Sequence, residues 1–555
     1  MSKAKKEVRL GRAGEVPRTN APMPKSRAEA RPTVRVSSDI RQMRLAAEAH
    51  LLASPEIEIY QSNASPGELV SIARSSARNS PGDHASAGGP VIVPVSRAVL
   101  REFMSTAMTW LREDASGKEV PTLPPQPVVD AMLASGSWPF PVLAGIVQVP
   151  SLRPDGTVLD SPGYDARTGL YFAPARGVSF APQAASPTHD EALSALEALR
   201  EVIVDFPFES PHDESAALAA MLTPLARGAF EGCVPLFCVD ATTPGSGKGL
   251  LVDCCALLAT GRSAPRVAPT ANDEMEKRIT ACLRALTPIL LIDNVDRPFG
   301  GSAVDAMLTA PTWLGRFLGS SSMSEMPNRM LCFITGNNIR LLGDTPRRSI
   351  RIRLAPPTER PAERASFRHR RLLPWLERER GRLVAAALTV VRAYICAGRP
   401  AVAEGTMGSF EGWADLVRAT LVWLEQPDPL RAWHEAQAVC GDDEVLSMRV
   451  VLRSLFTLRG ESGFAVREVI EDLERGGRPV DAGATESTRL ELREALASLV
   501  PESSESRLDA RRLGRVFANY RGRPMDGLKL VPDVLGSARL GARWCVTELN
   551  HGESP

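Results

Sequence analysis

The residues best suited to chemistry lie in the stretch FCVDATTPGSGKGLLVDCCALLATG, from Phe237 to Gly261. An apolar segment, a loop of small residues and a second apolar segment predict a strand, a loop and a helix. Small residues let consecutive backbone N–H groups curve around an anion, and the positive end of the following helix faces the same point. We therefore predict a phosphate-binding loop, formed by Thr243, Pro244, Gly245, Ser246, Gly247, Lys248 and Gly249.

Two positions depart from the usual phosphate-loop pattern G-x-x-x-x-G-K-[ST]. Thr242 stands where the first glycine is expected, and Gly249 stands where a magnesium-binding hydroxyl is expected. Lys248 keeps the expected place, where it would contact the outer phosphates as a point charge. We therefore predict nucleotide binding. The loop itself does not show which residue would bind magnesium.

Further polar residues follow apolar segments that we predict to be buried parallel strands. The apolar strand within TPILLIDNVDRP ends in Asp293, and the segment RMLCFITGNN ends in Asn337 and Asn338. Parallel strands deliver such residues to the carboxyl edge of a sheet, where ligands bind in open α/β folds. We expect Asp293 to hold magnesium through water, and an amide at the second strand end to orient the attacking water.

An arginine pair, Arg347 and Arg348, follows in the turn of GDTPRRSIRIRL. An arginine at this point could complete a neighbouring subunit's site, because stabilising charge on the transferred phosphoryl group is the main catalytic task. The general base stays open. Asn294 occupies the position after Asp293 where a catalytic glutamate often lies, and the candidate bases are Asp296, Glu274 and Glu276.

The segments ATTPGSGKGLL, ILLIDNVDRPFGGSAVDAMLT and GRFLGSSSMSEMPNRMLCFITGNNIRLLGDTPRRSIRIRL resemble the helicase domains of phage and mobile-element primase-helicases. These are AAA+-type ATPases similar to superfamily 3 helicases, and the strong resemblance covers residues 230–375. It implies a hexameric ring that moves on DNA using ATP and Mg²⁺. It also implies Asn338 as sensor and Arg348 as arginine finger, with Arg347 as second choice. Because no primase signature is found, a separate primase is an expected partner.

Composition limits the class of protein. The chain has 555 residues, long enough for several domains, and its 66 basic and 65 acidic residues give a formal charge of +1, so DNA contact would depend on local patches. The nine cysteines show no paired C-x-x-C spacing, which favours a reducing compartment. No apolar run has the length of a membrane span, and the N-terminus lacks the apolar region of a secretory signal. We expect a soluble, cytoplasmic protein.

The elements that must position these residues suggest an α/β protein with a P-loop AAA+ core between smaller domains. Residues 1–35 are basic and predict a disordered tail. Residues 36–182 predict an α+β domain of unknown role, including a helix capped by Ser37 or Ser38 and an amphipathic helix VLREFMSTAMTWLRED. Residues 190–375 would form the ATPase domain, opened by a helix capped at Asp190, and residues 376–458 a helical lid.

The last segment, residues 459–549, predicts three helices followed by a hairpin or small sheet, the order of a winged-helix module. Arginines crowd the third helix and its end: Arg511, Arg512, Arg515, Arg521 and Arg523. A helix with arginines on one face could lie in the major groove of DNA. An arginine-coated surface helix without a DNA role is the plainer alternative.

Three functions fit these patterns. The first is an ATP-dependent DNA helicase or translocase in replication of a mobile element or phage-like genome. The second is an ATP-gated DNA-binding regulator or initiator with weak hydrolysis, which the residue types at 249 and 294 favour. The third is an AAA+ remodeller of protein partners, for which the arginine-rich C-terminal segment offers no support.

Overall fold

The computed structural model describes residues 31–74, 90–175, 178–181, 184–316, 323–358, 360–402, 405–431, 443–475, 486–500, 508–533 and 542–548. The predicted tail up to residue 30 lies outside them. The described residues divide into two compact units, with the boundary between Ala144 and Gly145. The sequence predicted an N-terminal α+β domain of residues 36–182 after the tail. Mixed α/β structure, as predicted, is present in the chain.

The first unit contains two small sheets and three helices. Its elements are β1 (Thr33–Arg35), α1 (Ile40–Ala53), β2 (Ile59–Ser62), β3 (Leu69–Arg74), β4 (Pro90–Pro94), α2 (Arg97–Ala107), β5 (Thr109–Glu113), β6 (Glu119–Thr122), α3 (Gln126–Leu133) and β7 (Val142–Leu143). The sheets have the orders β4-β3-β2-β7 and β1-β5-β6. Their apolar faces and the helices enclose a core that includes Leu100, Met104 and Trp110.

Local patterns mispredict three features of this unit. Residues 33–35, assigned to the tail, form β1, which pairs in parallel with β5. The helix predicted through residue 114 ends at Ala107, because Trp110 is buried in β5 between β1 and β6. This tertiary pairing outweighs the helical periodicity. The cap of α1 is Asp39, whose carboxylate accepts from the Gln42 N–H at 2.9 Å, rather than Ser37 or Ser38.

The second unit opens with short strands. They are β8 (Gly145–Val147), β9 (Ser151–Leu152), β10 (Val158–Leu159), β11 (Gly163–Asp165) and β12 (Leu170–Phe172). They form a two-stranded sheet and a three-stranded sheet of order β11-β12-β8. Arg153 and Asp165 tie the two together through an ion pair of 3.0 Å.

A five-stranded, fully parallel sheet is the centre of the second unit. The elements of this part of the chain, which include the five strands of the sheet, are α4 (His189–Ile203), α5 (Pro211–Ala226), β13 (Leu236–Ala241), α6 (Lys248–Thr260), β14 (Arg266–Val267), α7 (Asn272–Arg284), β15 (Ile289–Val295), α8 (Ser302–Thr309), β16 (Thr312–Arg316), β17 (Met323–Pro327), β18 (Leu331–Asn337), β19 (Ser349–Leu354) and α9 (Leu372–Cys396). The strand order is β14-β15-β18-β13-β19. β16 and β17 form a separate antiparallel pair. The cap of α4 is Thr188 in a capping box with Glu191, rather than Asp190.

Helical structure continues after α9, as predicted for this segment. α10 (Glu411–Trp413), a π-helical turn (Ala414–Arg418) and α11 (Ala419–Trp423) run together. Trp413 is fully buried, and its indole N–H donates to Thr223 of α5 at 2.9 Å. This contact places Trp413 in the core.

The C-terminal segment has its own core and its own sheet. It consists of α12 (Asp443–Arg459), β20 (Phe464–Ala465), α13 (Val466–Arg475), α14 (Glu486–Leu499), α15 (Ala510–Asn519), β21 (Leu528–Pro532) and β22 (Arg543–Glu548). β22 lies between β20 and β21 and is antiparallel to both, which confirms the predicted small sheet. Phe464, Phe517 and Trp544 are among its buried core residues. Across the described part of the chain, no helix has the length and apolar character that crossing a bilayer requires.

Candidate functional site

The small-residue loop 242–247 joins β13 to α6 at the carboxyl edge of the central sheet. Gly245 and Gly247 have φ values of +75° and +92°, in the left-handed region that side chains disfavour. Gly247 is also the N-cap of α6, and the Ser246 hydroxyl donates to the Thr243 carbonyl at 2.5 Å. The free N–H groups of the first turn of α6 therefore begin directly at this loop, an arrangement that favours anions.

Lys248 links this loop to a second strand end. Its ammonium donates to Oδ1 of Asn337 at 2.6 Å and lies 3.5 Å from the Thr243 carbonyl oxygen. Ala241 and Asn337, the last residues of β13 and β18, are register partners, so the two strand ends coincide. Partial burial lowers the pKa of Lys248, an effect that the nearby carboxylates Asp240 and Asp293 oppose. A half-buried cation therefore lies at the point where phosphate is expected.

Asp293 lies at the same edge, near the end of β15. The pairing of β15 with β18 shifts register between Ile292 and Val295, and Asn294 there has φ of +60°. The Thr335 hydroxyl donates to Oδ1 of Asp293 at 2.5 Å and accepts from the Asn294 N–H at 3.1 Å. Thr335 therefore fixes the orientation of the Asp293 carboxylate.

The other oxygen of Asp293 faces a cation of this chain. Arg266, the first residue of β14, places its Nε 3.4 Å from Asp293 Oδ2 and one terminal nitrogen 2.6 Å from Asp253 Oδ2. A β-carbon built on Gly249 would lie 3.6 Å from the same terminal nitrogen. The guanidinium thus lies where the two expected ligands of magnesium, a hydroxyl at position 249 and Asp293, would converge.

These contacts do not fit the predicted magnesium site. Gly249 supplies no oxygen, and both oxygens of Asp293 already face donors of the chain, Thr335 and Arg266. Magnesium ligands in proteins are oxygens, so a guanidinium at this point opposes a second cation.

The two asparagines at the end of β18 have different surroundings. Asn337 contacts Lys248, whereas Asn338 turns into the left-handed region, with φ of +48°. The side-chain oxygen of Asn338 accepts from Arg353 of β19 at 3.2 Å. Arg353 also pairs with the buried carboxylate of Asp240. The structure therefore brings Asn337 to Lys248. It brings Asn338, the predicted sensor, to Arg353 of the edge strand β19.

Arg347 and Arg348 lie in a 3₁₀ turn, Pro346–Arg348, just before β19. The Arg348 side chain is only 13% exposed and contacts Asp344 at 2.7 Å and the main-chain carbonyl of Asp305. The Arg347 side chain is 57% exposed and pairs with the same Asp344 at 2.6 Å. Hydrogen bonding from Arg347 lowers the pKa of Asp344. Within one chain, Arg347 is thus the more accessible cation.

The three candidate bases lie on the surface around this edge. Glu274, on α7, pairs with Lys277 at 3.4 Å and with Arg278 at 3.7 Å. Glu276, also on α7, and Asp296, after β15, are exposed. The choice among them stays open, as it did at the level of the sequence.

The predicted DNA-contacting arginines lie on and after α15. Arg511, Arg512, Arg515 and Arg521 are exposed, whereas Leu513 and Phe517 of the same helix are buried. Asp509 caps α15 by accepting from the N–H groups of residues 511 and 512 at 2.8 and 3.2 Å. The arginines therefore form a basic face on a helix whose other face is held in the core.

A basic cavity of about 650 Å³ opens beside the start of α9, and local patterns gave no reason to expect it. Its lining residues are Arg368, His369, Arg370, Arg371, Trp375 and Arg378. The His369 ring stacks on Trp375, with centroids 3.8 Å apart and planes 17° apart. Cationic and aromatic side chains in one cavity are suited to a phosphorylated or nucleic-acid ligand.

Sequence reasoning missed four residues of the site: Asp240, Arg266, Thr335 and Arg353. Asp240 carried a signal, because a carboxylate in the apolar strand VPLFCVD is unusual for a buried position. Arg266 carried none, since it follows Ser263-Ala264-Pro265 in an ordinary connecting segment. Its position depends on the pairing of a two-residue edge strand with β15.

No protein-family model and no curated protein matches this chain. Two similar solved structures are both apo structures of the C-terminal region of NrS-1. The first is 11% identical, with a TM-score of 0.35, and covers 81% of this chain and 99% of its own. The second is 10% identical, with a TM-score of 0.37, and covers 86% and 96%. At these TM-scores the likeness assigns neither a fold nor a function.

Proposed function

We propose that this protein is an ATP-dependent DNA helicase or translocase of the AAA+ type, acting in replication of a mobile element or phage-like genome. One observation carries the proposal: loop 242–247, Lys248, Asp293 and Asn337 lie together at the carboxyl edge of one parallel sheet. This is the edge at which open α/β sheets bind nucleotides. The sequence resemblance to superfamily 3 helicases supports the same assignment.

In this proposal, the N–H groups of the loop and of the first turn of α6 bind the phosphates of ATP. Lys248 exchanges its bond to Asn337 for a phosphate oxygen, which leaves the Asn337 amide free to orient water or contact the outer phosphate. An exchange of this kind would let the end of β18 respond to the presence of ATP. This exchange involves two side chains, Lys248 and Asn337, that already contact each other.

An arginine from a neighbouring subunit would stabilise the charge of the transferred phosphoryl group. We assign this role to Arg347 ahead of Arg348, because Arg347 is exposed and Arg348 is held by Asp305 of its own chain. The assignment requires a closed ring, in which each subunit presents its turn to the next subunit's loop. A hexamer is the proposed ring.

DNA contact is assigned first to the basic face of α15. This helix precedes β21 in the chain, and its Phe517 packs against Phe464 of β20 and Trp544 of β22. Such a module places its last helix in the major groove, with surrounding arginines on phosphates. The cavity beside α9 is a second candidate surface, suited to the backbone of a single strand.

The decisive experiment measures ATP turnover by full-length protein with and without single-stranded DNA. We expect DNA to stimulate turnover, and Lys248→Ala to lower it by at least about 100-fold, because the lost cation faces the transferred charge. Lys118→Ala is the matched control, since Lys118 is an exposed lysine of the first unit. Turnover that DNA does not stimulate would contradict the motor function.

A second function, an ATP-gated DNA-binding switch with weak turnover, is favoured by one observation. Arg266 lies beside Gly249 and Asp293, where hydrolytic phosphate loops hold their metal. Gly249→Ser distinguishes the two functions. A large gain in turnover with this variant would indicate a damped switch, whereas an unchanged rate would indicate that the loop is already competent.

A further inference from the structure

A side-chain cation, the Arg266 guanidinium, lies beside both Asp293 and Gly249. Arg266 contacts Asp253 at 2.6 Å and Asp293 at 3.4 Å, and its terminal nitrogen lies 3.6 Å from a β-carbon built on Gly249. Any side chain at position 249 would therefore point towards this guanidinium. The absence of a hydroxyl at position 249 and the presence of the Arg266 guanidinium beside it therefore belong to the same local arrangement.

The position of Arg266 is built by the fold. Asp253 of α6 is 6% exposed, and its second oxygen accepts from the Ala264 N–H at 3.2 Å. Arg266 itself is the first residue of β14 and pairs with Leu291 of β15. Since both the anchor and the backbone are fixed, the guanidinium is directed to the end of β15. Its side chain keeps 44% of its surface exposed, so it remains accessible to a ligand.

We propose that Arg266 is a second resident cation of this phosphate site, beside Lys248, and that the protein binds nucleoside triphosphate without requiring a divalent metal. The proposal rests on the proposed ATP binding at loop 242–247. A guanidinium offers several N–H donors in one plane and pairs well with phosphate oxygens. In phosphate loops with a hydroxyl residue directly after the lysine, magnesium neutralises part of the phosphate charge. In this chain Arg266 would neutralise it.

The test is calorimetric titration of full-length protein with ATP, in buffer containing either Mg²⁺ or EDTA. For the natural chain we expect dissociation constants that agree within about threefold, since both conditions leave Arg266 in place. For Arg266→Ala we expect binding in EDTA to weaken by at least about tenfold, with recovery when Mg²⁺ is added. Arg262→Ala, an exposed arginine nearby, is the control for charge loss.

The outcomes separate the two proposals. Binding of ATP only with Mg²⁺ would overturn the role of Arg266 and leave the nucleotide site standing. Magnesium-independent binding that persists in Arg266→Ala would also overturn it, because the cation would lie elsewhere. Absence of binding in both buffers would overturn the proposed function itself. If Arg266→Ala does not fold, judged by circular dichroism, the natural chain in the two buffers and Arg266→Lys still provide the test.

Discussion

Two neighbouring asparagines show how finely the site depends on single residues. Asn337 accepts from Lys248 at 2.6 Å, whereas Asn338 accepts from Arg353 at 3.2 Å. The separation arises at the backbone, because the chain enters the left-handed region at Asn338 and turns its side chain towards β19. Of the two asparagines, Asn337 is therefore the one placed to exchange contacts with the phosphate that we propose Lys248 to bind.

This difference predicts unequal effects of two similar substitutions. Asn337→Ala should lower ATP turnover by at least about tenfold, because a polar group aimed at the transferred phosphate is lost. Asn338→Ala is the matched control. It should lower turnover less than Asn337→Ala does, and it should lower the stability of the turn. Steady-state ATPase assays and thermal melts of both variants check this. A larger loss of turnover in Asn338→Ala would favour the sensor that the resemblance implied.

At the scale of elements, α15 combines a buried face with an exposed basic face. Leu513 and Phe517 are in the core, while Arg511 and Arg515, one helical turn apart, are exposed. Residues four apart lie on one side of a helix, so these two arginines can contact adjacent phosphates. The helix is held by its cap and by its apolar face, which leaves its arginines available.

Replacing both Arg511 and Arg515 by alanine should weaken duplex DNA binding and flatten its salt dependence. Each lost phosphate contact removes about 0.9 from the slope of log affinity against log salt. The control is the double variant Arg489→Ala and Arg493→Ala, the same spacing on α14. Fluorescence anisotropy across a salt series measures both slopes. Equal slopes for the two variants would contradict a DNA role for α15 and would turn attention to the basic cavity beside α9.

At the scale of the whole molecule, the proposed motor needs more than one chain. The 242–247 loop and the Arg347 turn belong to the same subunit, and Arg347 pairs there with Asp344 instead of reaching Lys248. A finger acting in trans therefore requires a neighbour. For the proposed motor, ring formation is therefore a condition of activity.

Mixing two inactive variants tests that requirement. Lys248→Ala and Arg347→Ala should each be nearly inactive alone, yet a mixture should regain turnover, because some interfaces combine an intact loop with an intact finger. A mixture of Lys248→Ala with Arg348→Ala serves as the comparison, and native mass spectrometry with ATP reports the ring. Failure of the first mixture to regain turnover, with rings present, would exclude Arg347 as the trans-acting residue.

The sequence alone predicted the parts of the site that depend on neighbours along the chain. Loop 242–247 follows from small residues before a lysine, and the placement of Asp293 follows from an apolar strand. Both are local patterns, in which glycine permits positive φ and apolar runs are buried. The C-terminal helices and sheet were predictable for the same reason.

Only the tertiary structure decided which side chains meet. Arg266 reaches Gly249 and Asp293 because a two-residue strand pairs with β15, and no local pattern encodes that pairing. The split of the predicted helix into α2 and β5 has the same origin, since Trp110 is buried by strands distant in sequence. Periodicity along the chain determines which secondary structure a segment favours. Pairing between distant segments decides which cation lies beside Asp293.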